Sequence, residues 1–173
     1  MNTLIEFGKL LIPASIVLYA VYLMVRSFIS KELEMKRLEV RSRAIETILP
    51  ARVQAYERII LFLERISPQN LLLRLNEAGL TARDFQRILL DEIRNEYNHN
   101  VSQQVYMSEE VWTLVKNAKE DLVLMINEAS AHVAADAGSL DFAKRIFELA
   151  MDKNVDPIGH AIREVKKEIQ QIF

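Results

Sequence analysis

One predicted helix carries residue types that could bind a metal ion. Glu96 and His99 have the spacing Glu-x-x-His, which places a carboxylate and an imidazole on one helix face, as in di-iron helical bundles. Glu96, Asn100 and Gln103 project from the centre of an otherwise apolar face, and Glu92 and His99 flank it. We call these five residues the polar stripe. Because a buried charge is costly unless paired, and a buried amide must be hydrogen-bonded, the polar stripe needs partners.

A complete metal site of the di-iron type needs a second Glu-x-x-His motif and two more carboxylates, all facing inward. Glu128 and His132 are one helical turn apart, as are His160 and Glu164. Helical periodicity turns both pairs away from the apolar faces of their helices. Three hypotheses stay open for the polar stripe: a structural polar network, a groove for a partner helix or small ligand, and a metal site at its Glu-x-x-His motif. We favour the network and expect no metal and no other cofactor.

Arg52 is the predicted partner of the polar stripe. It falls in the middle of an apolar helix face that includes Tyr56 and Leu63. We expect Arg52 to meet Glu96 or Glu92, because a bidentate arginine–carboxylate pair would offset the desolvation cost and fix the helix register. The candidate buried polar network therefore comprises Arg52, Glu92, Glu96, His99, Asn100 and Gln103.

Sequence motifs for common catalytic chemistry are absent. The chain has no GxxxxGK[ST] or GxGxxG phosphate-binding loop, no HExxH zinc motif and no GxSxG nucleophile elbow. It also has no cysteine, so a thiol nucleophile is excluded. The balance of the sequence favours a protein that is not an enzyme.

The elements that must position these residues are predicted to be helices. Only four Gly and four Pro occur in 173 residues, no Asn-Gly or Asp-Gly hairpin turn is present, and apolar residues recur with helical spacing. The wide apolar faces must be buried against one another, because each buried Leu or Ile stabilises the fold by about 1.5–3 kcal/mol. The sequence therefore predicts an all-α fold, a bundle of four to six packed helices.

Capping signals divide the chain into these helices. Pro50 is expected to kink or restart the first long helix, which ends near Ile66. Thr81, Ser108 and Asp156 are each predicted N-caps. The helices after residue 66 are predicted at 69–77 (capped by Ser67, with Pro68 in the first turn), 82–106, 109–137, 140–152 (capped by Ser139) and from Pro157 onward.

The N-terminal part of the chain contains the longest apolar run. The sixteen residues from Leu10 to Val25 carry no charge. A membrane-spanning helix needs about 20 mostly apolar residues, and extending the run to residues 4–29 supplies them with the charges near the ends. A cleaved signal peptide needs a basic segment before the run and a small-x-small cleavage site after it. The segment before this run is nearly neutral, and no such site follows it. An uncleaved membrane anchor is the favoured interpretation, with a buried core helix and a cleaved signal as the alternatives.

The charges beside this run predict its orientation. Glu6 and Lys9 cancel on the N-terminal side. The C-terminal side carries the basic residues Arg26, Lys31, Lys36, Arg37, Arg41 and Arg43. The positive-inside rule therefore places the C-terminal part in the cytoplasm. The absence of cysteine agrees with that compartment.

The predicted organisation has three parts. Residues 1–29 are predicted to form a transmembrane anchor that contacts lipid through residues 4–29. Residues 30–66 are predicted to form an amphipathic juxtamembrane helix, kinked near Pro50. Residues 67–173 are predicted to form a helical bundle, and the second half of the juxtamembrane helix packs with it. The net charge is −2, and no basic block occurs outside the membrane flank. We therefore expect no nucleic-acid partner.

Two segments carry a resemblance to a known family. They are QAYERIILFLERISP at residues 54–68, followed by NLLLR at 70–74, and EYNHNVSQQVY at residues 96–106, followed by Ser108 and Trp112. The chain resembles a family of uncharacterised bacterial proteins of the Bacteroidetes type. The resemblance implies an N-terminal membrane helix followed by a helical cytoplasmic domain, and it implies no activity.

Two functions are consistent with the sequence. The first is a membrane-anchored cytoplasmic scaffold or interaction module that binds an unknown protein partner. The second is a membrane-bound bundle that binds a metal or ligand through Glu96 and His99. The first is favoured because the anchor is the strongest signal and catalytic motifs are absent.

Overall fold

A computed structural model gives the fold of the chain. It describes the backbone of residues 2–152 and 156–171. The side chains of those residues are described except at positions 2–10, 12–14, 44 and 152.

The described residues form six α-helices and one 3₁₀ helix, with no strand among them. The elements are α1 (Asn2–Ile66), α2 (Pro68–Leu75), α3 (Ala82–Asn100), the 3₁₀ helix (Val101–Tyr106), α4 (Glu109–Ala131), α5 (Ser139–Asp152) and α6 (Pro157–Gln170). An isolated antiparallel bridge joins Thr81 to Gly138. The all-α prediction is therefore confirmed.

The chain divides into two compact units, residues 1–50 and 51–173. The first unit is helical, and its described apolar side chains from Leu11 to Ile48 are largely exposed. Helical backbone continues through Pro50, so the predicted restart at this residue does not occur. Among the residues that the structure describes, no helix is both long and apolar enough to cross a membrane. The predicted anchor falls partly on positions 4–10 and 12–14, whose side chains lie outside the described residues.

Local capping chemistry starts three helices of the second unit as predicted. The side-chain oxygens of Thr81, Ser108 and Asp156 accept hydrogen bonds from backbone amides three residues later, at 3.2, 3.2 and 2.8 Å. These bonds satisfy amides that have no acceptor within their own helix. Ser67 is the N-cap residue of α2, as predicted, but its hydroxyl makes no capping hydrogen bond and donates to the Glu64 carbonyl oxygen instead.

Two helix ends differ from prediction because other contacts replace the helical hydrogen bonds. Helix α3 ends at Asn100 rather than 106, and the Asn100 side-chain amide donates to the Glu96 carbonyl at 2.8 Å. Helix α4 ends at Ala131 rather than 137. The following loop brings the Ala137 carbonyl within 2.7 Å of the Ala82 amide, which is one of the free amides at the start of α3.

One hydrophobic core holds the second unit together. Helix α4 packs against α3, α5 and α6, and α2 packs against α3 and α5. The segment of α1 after Pro50 contributes fully buried side chains to this core, among them Tyr56, Ile59 and Leu63. The polar stripe and its surroundings are therefore positioned by α1, α2 and α3 within one packed unit.

Candidate functional site

The two glutamates of the polar stripe are brought together by arginines. The Arg65 guanidinium lies 2.5 Å from the Glu96 carboxylate and 3.7 Å from Glu92. The Arg74 guanidinium lies 2.6 Å from Glu92. We call Arg65, Arg74, Glu92 and Glu96 the charge ladder. It joins the C-terminal end of α1, helix α2 and helix α3, so these four charges cross-link three elements.

The predicted pairing of Arg52 with Glu96 or Glu92 is wrong. Arg65, more than three turns further along α1, pairs with Glu96 instead. Arg52 donates a hydrogen bond to the Tyr56 hydroxyl at 3.4 Å. Both arginines lie on the helix that packs against α3, and a helical projection gives no information on which turn of one helix meets which turn of the other.

The other members of the polar stripe separate from one another. Asn100 is buried, with 8% of its surface exposed, and its amide is satisfied by the Glu96 carbonyl. His99 is exposed. Gln103 is half-buried in the 3₁₀ helix and donates to the Ser102 hydroxyl at 3.3 Å. The six predicted residues therefore do not form one network. Arg65 bridges the Glu92 and Glu96 carboxylates, and Asn100 bonds the backbone carbonyl of Glu96 rather than its side chain.

The geometry at Glu96 is unfavourable for a metal ion. Its carboxylate is engaged by the Arg65 guanidinium, and the imidazole of His99 is exposed to solvent. Within the described part of the chain, no group of three or more His, Cys, Asp or Glu side chains could hold a metal ion. A cation at Glu96 would have to displace an arginine.

A second polar cluster, which the sequence did not indicate, centres on Glu168 of α6. The Glu168 carboxylate accepts hydrogen bonds from the Tyr56 hydroxyl, from the Ser108 hydroxyl and, at 2.9 Å, from the Ser108 amide. Tyr56 is fully buried and also lies 3.2 Å from the Tyr106 carbonyl. We call Arg52, Tyr56, Ser108 and Glu168 the Glu168 cluster. It joins α1, the start of α4 and the last turns of α6.

The pKa values in the Glu168 cluster move in opposite directions. Burial raises the pKa of Tyr56 to about 12, and the hydrogen bond to Glu168 adds to this effect while Arg52 opposes it. Burial alone would raise the pKa of Glu168, but the hydrogen bonds from Ser108 and Tyr56 and the charge of Arg52 outweigh it and lower that pKa. At neutral pH the phenol is a donor and the carboxylate is an acceptor. Both groups titrate far from pH 7, where a general acid or base works best.

Aromatic side chains surround Tyr97, which follows Glu96 of the charge ladder on α3. The Tyr97 ring stacks on Trp112 with 5.9 Å between centroids, and the Phe62 centroid lies 6.1 Å away. The Lys119 ammonium lies 4.5 Å from the Tyr97 centroid, which is a cation–π contact. Trp112 is 8% exposed and therefore belongs to the hydrophobic core.

Sequence reasoning missed Arg65, Arg74, Tyr56, Ser108 and Glu168 as cluster members. One signal was available for Glu168, which lies beside the apolar positions Val165 and Ile169 of the last helix. A carboxylate beside an apolar face requires a donor. The identity of that donor could not be read from sequence, because Tyr56 lies 112 residues earlier.

These features define an all-α protein whose polar clusters connect packed helices. The chain belongs to a family of unknown function, DUF7935, whose model matches residues 2–172. This match confirms the predicted membership of an uncharacterised family, while the Bacteroidetes origin stays a prediction. Neither a curated protein nor a solved structure matches the chain.

Proposed function

We propose that the chain is a membrane-anchored helical module that binds a protein partner at the cytoplasmic face of a bacterial inner membrane. The observation that carries the proposal is the uncharged run of sixteen residues from Leu10 to Val25. The described side chains of this region support it. Leu18 and Met24 are 74% and 73% exposed, and exposed apolar residues surround the helix. Lipid is the environment in which a helix apolar on all sides is stable.

The flanking charges support the orientation. Six arginines and lysines follow the run within residues 26–43, whereas Lys9 precedes it together with Glu6. Orientation depends on the Lys and Arg bias near the ends of the membrane helix, and acidic residues contribute little. The second unit, residues 51–173, would therefore lie in the cytoplasm.

Membrane fractionation of the full chain tests the anchor. We expect the wild-type chain to stay in the membrane pellet after an alkaline carbonate wash. The double variant Val17→Arg/Leu18→Arg should move to the supernatant, because each central arginine costs about 2.5–3.5 kcal/mol of insertion free energy. The double variant Leu38→Arg/Val40→Arg is the matched control, since it adds the same two charges to the same helix at exposed positions beyond the run. Release of the wild-type chain by carbonate would refute the anchor.

A groove on the second unit is the surface we propose for the partner. It has a volume of about 430 Å³ and is lined by Leu61, Glu64, Arg65, Asn70, Leu73 and Arg74. Leu61 and Leu73 are exposed, by 53% and 73%. An apolar centre with a charged rim is the usual anatomy of a protein–protein interface. The occupant we propose is an amphipathic segment of the partner, with an apolar side chain between the leucines and a carboxylate facing Arg65, which is half-exposed.

Site-specific photo-crosslinking in native membranes tests this half of the proposal. A photoreactive residue at position 73 should form a discrete adduct, and the adduct should be lost in an Arg65→Ala background. Position 124 is the matched control, because Leu124 is 63% exposed on α4 away from the groove lining. The same adduct at both positions, or none at position 73, would refute the groove while leaving the anchor proposal standing.

A further inference from the structure

The second unit contains a small cavity where α2, α4, α5 and α6 meet. Its volume is about 170 Å³. Its walls are mainly apolar and include Pro68, Leu122, Met125, Ala150, Pro157 and Ile158. It is separate from both polar clusters, since none of their residues lines it.

The chemistry of the walls disfavours water as the occupant. A buried water makes about three hydrogen bonds to polar groups, and cavities without such groups stay dry. The polar side chain in the lining is Asp156, which is exposed to solvent and whose Oδ1 accepts from the Gly159 amide at 2.8 Å as the cap of α6. An apolar occupant would gain contacts with the apolar walls and would leave this carboxylate in water.

The walls are built to keep their shape. Pro68 and Pro157 each occupy the first turn of a helix, where the proline ring fixes φ. Leu122 and Ile158 are buried against the rest of the core. Met125 is the adaptable part of the wall, because its unbranched thioether can change rotamer to fit an occupant. Ala150 leaves the space open because its side chain is a single methyl group.

We propose that this cavity is a binding site for one small apolar molecule, of the size of a single aromatic ring or a short branched aliphatic group. Its volume is close to the roughly 150 Å³ of an engineered apolar cavity that binds benzene and xenon. The site would add a ligand-binding capacity to the interaction module. It does not depend on the membrane anchor or on the groove.

Methyl NMR of the full chain, with benzene and xenon as probes, tests the site. The Met125 ε-methyl and the Ile158 δ1-methyl resonances should shift saturably with each probe, while the Ile93 δ1-methyl, far from the cavity lining, should not. Ala150→Leu should weaken binding at least tenfold, because the larger side chain fills the space. Ala131→Leu is the matched control, since it adds the same side chain at an exposed position of α4.

Each outcome decides the proposal. Saturable shifts that are lost in Ala150→Leu and kept in Ala131→Leu support it. The absence of saturable shifts at Met125 and Ile158 in the wild-type chain overturns it, as do equal affinities in the wild-type chain and Ala150→Leu. If Ala150→Leu does not fold, Ala150→Val makes the same comparison with a smaller increase in volume.

Discussion

The hydrogen bond between Tyr56 and Glu168 provides the sharpest quantitative prediction. Tyr56→Phe removes the buried hydroxyl, and Glu168→Gln removes the charge while keeping the shape of the side chain. The two residues come from α1 and α6, and Ser108 at the start of α4 shares the carboxylate. Each single variant should therefore lower the free energy of unfolding, and the double variant should lower it by less than the sum.

The magnitude follows from the number and kind of hydrogen bonds. A bond to a charged acceptor contributes about 1.5–3 kcal/mol. Tyr56→Phe breaks one such bond, so we expect a loss of about 2 kcal/mol. Glu168→Gln weakens three hydrogen bonds. Because Glu168 is partly exposed and the amide oxygen of Gln still accepts, we expect the free energy of unfolding to fall by about 2–3 kcal/mol. The coupling energy from the double-mutant cycle should be about 1.5 kcal/mol.

Trp112 provides the assay. It is the single tryptophan of the chain, it is buried, and it stacks on Tyr97, so its fluorescence reports unfolding of the second unit. For a unit of about 120 residues, 1.5 kcal/mol corresponds to a change in Tm of about 6 °C. Glu164→Gln is the control on the same helix, because its carboxylate pairs with the exposed Lys167, and no measurable change is expected. A coupling energy below about 0.5 kcal/mol would refute the reasoning, because effects that add are expected of independent sites.

The same cluster predicts the dependence of stability on pH. The raised Tyr56 pKa contributes stability that is fully present below pH 10 and is lost as the pH rises toward about 12, which corresponds to about 3 kcal/mol. The lowered Glu168 pKa contributes stability that is present above its unfolded value and is lost as the pH falls through its folded value. Tyr56→Phe should therefore flatten the alkaline limb, and Glu168→Gln should flatten the acidic one. Unchanged limbs in the variants would contradict these assignments.

Three further predictions use the same fluorescence assay or elemental analysis. Arg74→Ala in the charge ladder should lower the free energy of unfolding by about 1 kcal/mol, because it leaves the half-buried Glu92 carboxylate with one partner fewer. The control Arg94→Ala breaks an exposed ion pair and should change the free energy little. Equal effects of the two variants would contradict the charge ladder. Gly79→Ala should lower the free energy of unfolding by about 1–2 kcal/mol, because Gly79 has φ of +89°, a conformation that strains a residue with a side chain. Gly138→Ala is the control, because Gly138 has no positive φ. An equal or smaller loss in Gly79→Ala than in Gly138→Ala would contradict backbone strain at Gly79. His99→Ala should leave both the stability and the metal content of the purified full chain unchanged, because the His99 imidazole is exposed. If the wild-type chain contains a stoichiometric metal that this variant loses, the hypothesis of a metal site at Glu96 and His99 is restored.

The sequence predicted the features that depend on nearby residues. The caps at Thr81, Ser108 and Asp156 require only a side-chain oxygen and an amide three residues later, so their positions follow from local order. Helical periodicity likewise identified an apolar helix face whose residues Tyr56 and Leu63 are buried in the core. These predictions succeed because both partners of each interaction lie on one helix or one helix face.

The errors occur where residues distant in sequence decide the outcome. Helix α4 stops at Ala131 because its loop supplies carbonyls to the first amides of α3, a contact between segments more than 50 residues apart. The Arg65–Glu96 pair forms instead of the predicted Arg52 pair because of packing between distant segments. Both arginines lie on the packed segment of α1, and the point along α1 at which α3 packs decides which arginine meets Glu96. The turn at Ser67 and Pro68, which brings Arg74 to Glu92, contributes to that position.

Both polar clusters involve the same segment of α1, residues 51–66, and this shared segment gives the two clusters a common structural role. Arg65 binds Glu96 of α3 near one end of the segment, and Tyr56 binds Glu168 of α6 near the other. Between them the segment contributes Ile59 and Leu63 to the core. Apolar packing alone tolerates sliding or rotation of a helix, whereas a specific polar pair is satisfied in one register. Two such contacts therefore fix the segment within its unit against both motions. In the proposed anchored state this segment joins the bundle to the anchor. Loss of both polar contacts should therefore broaden the methyl resonances of the core in addition to lowering Tm.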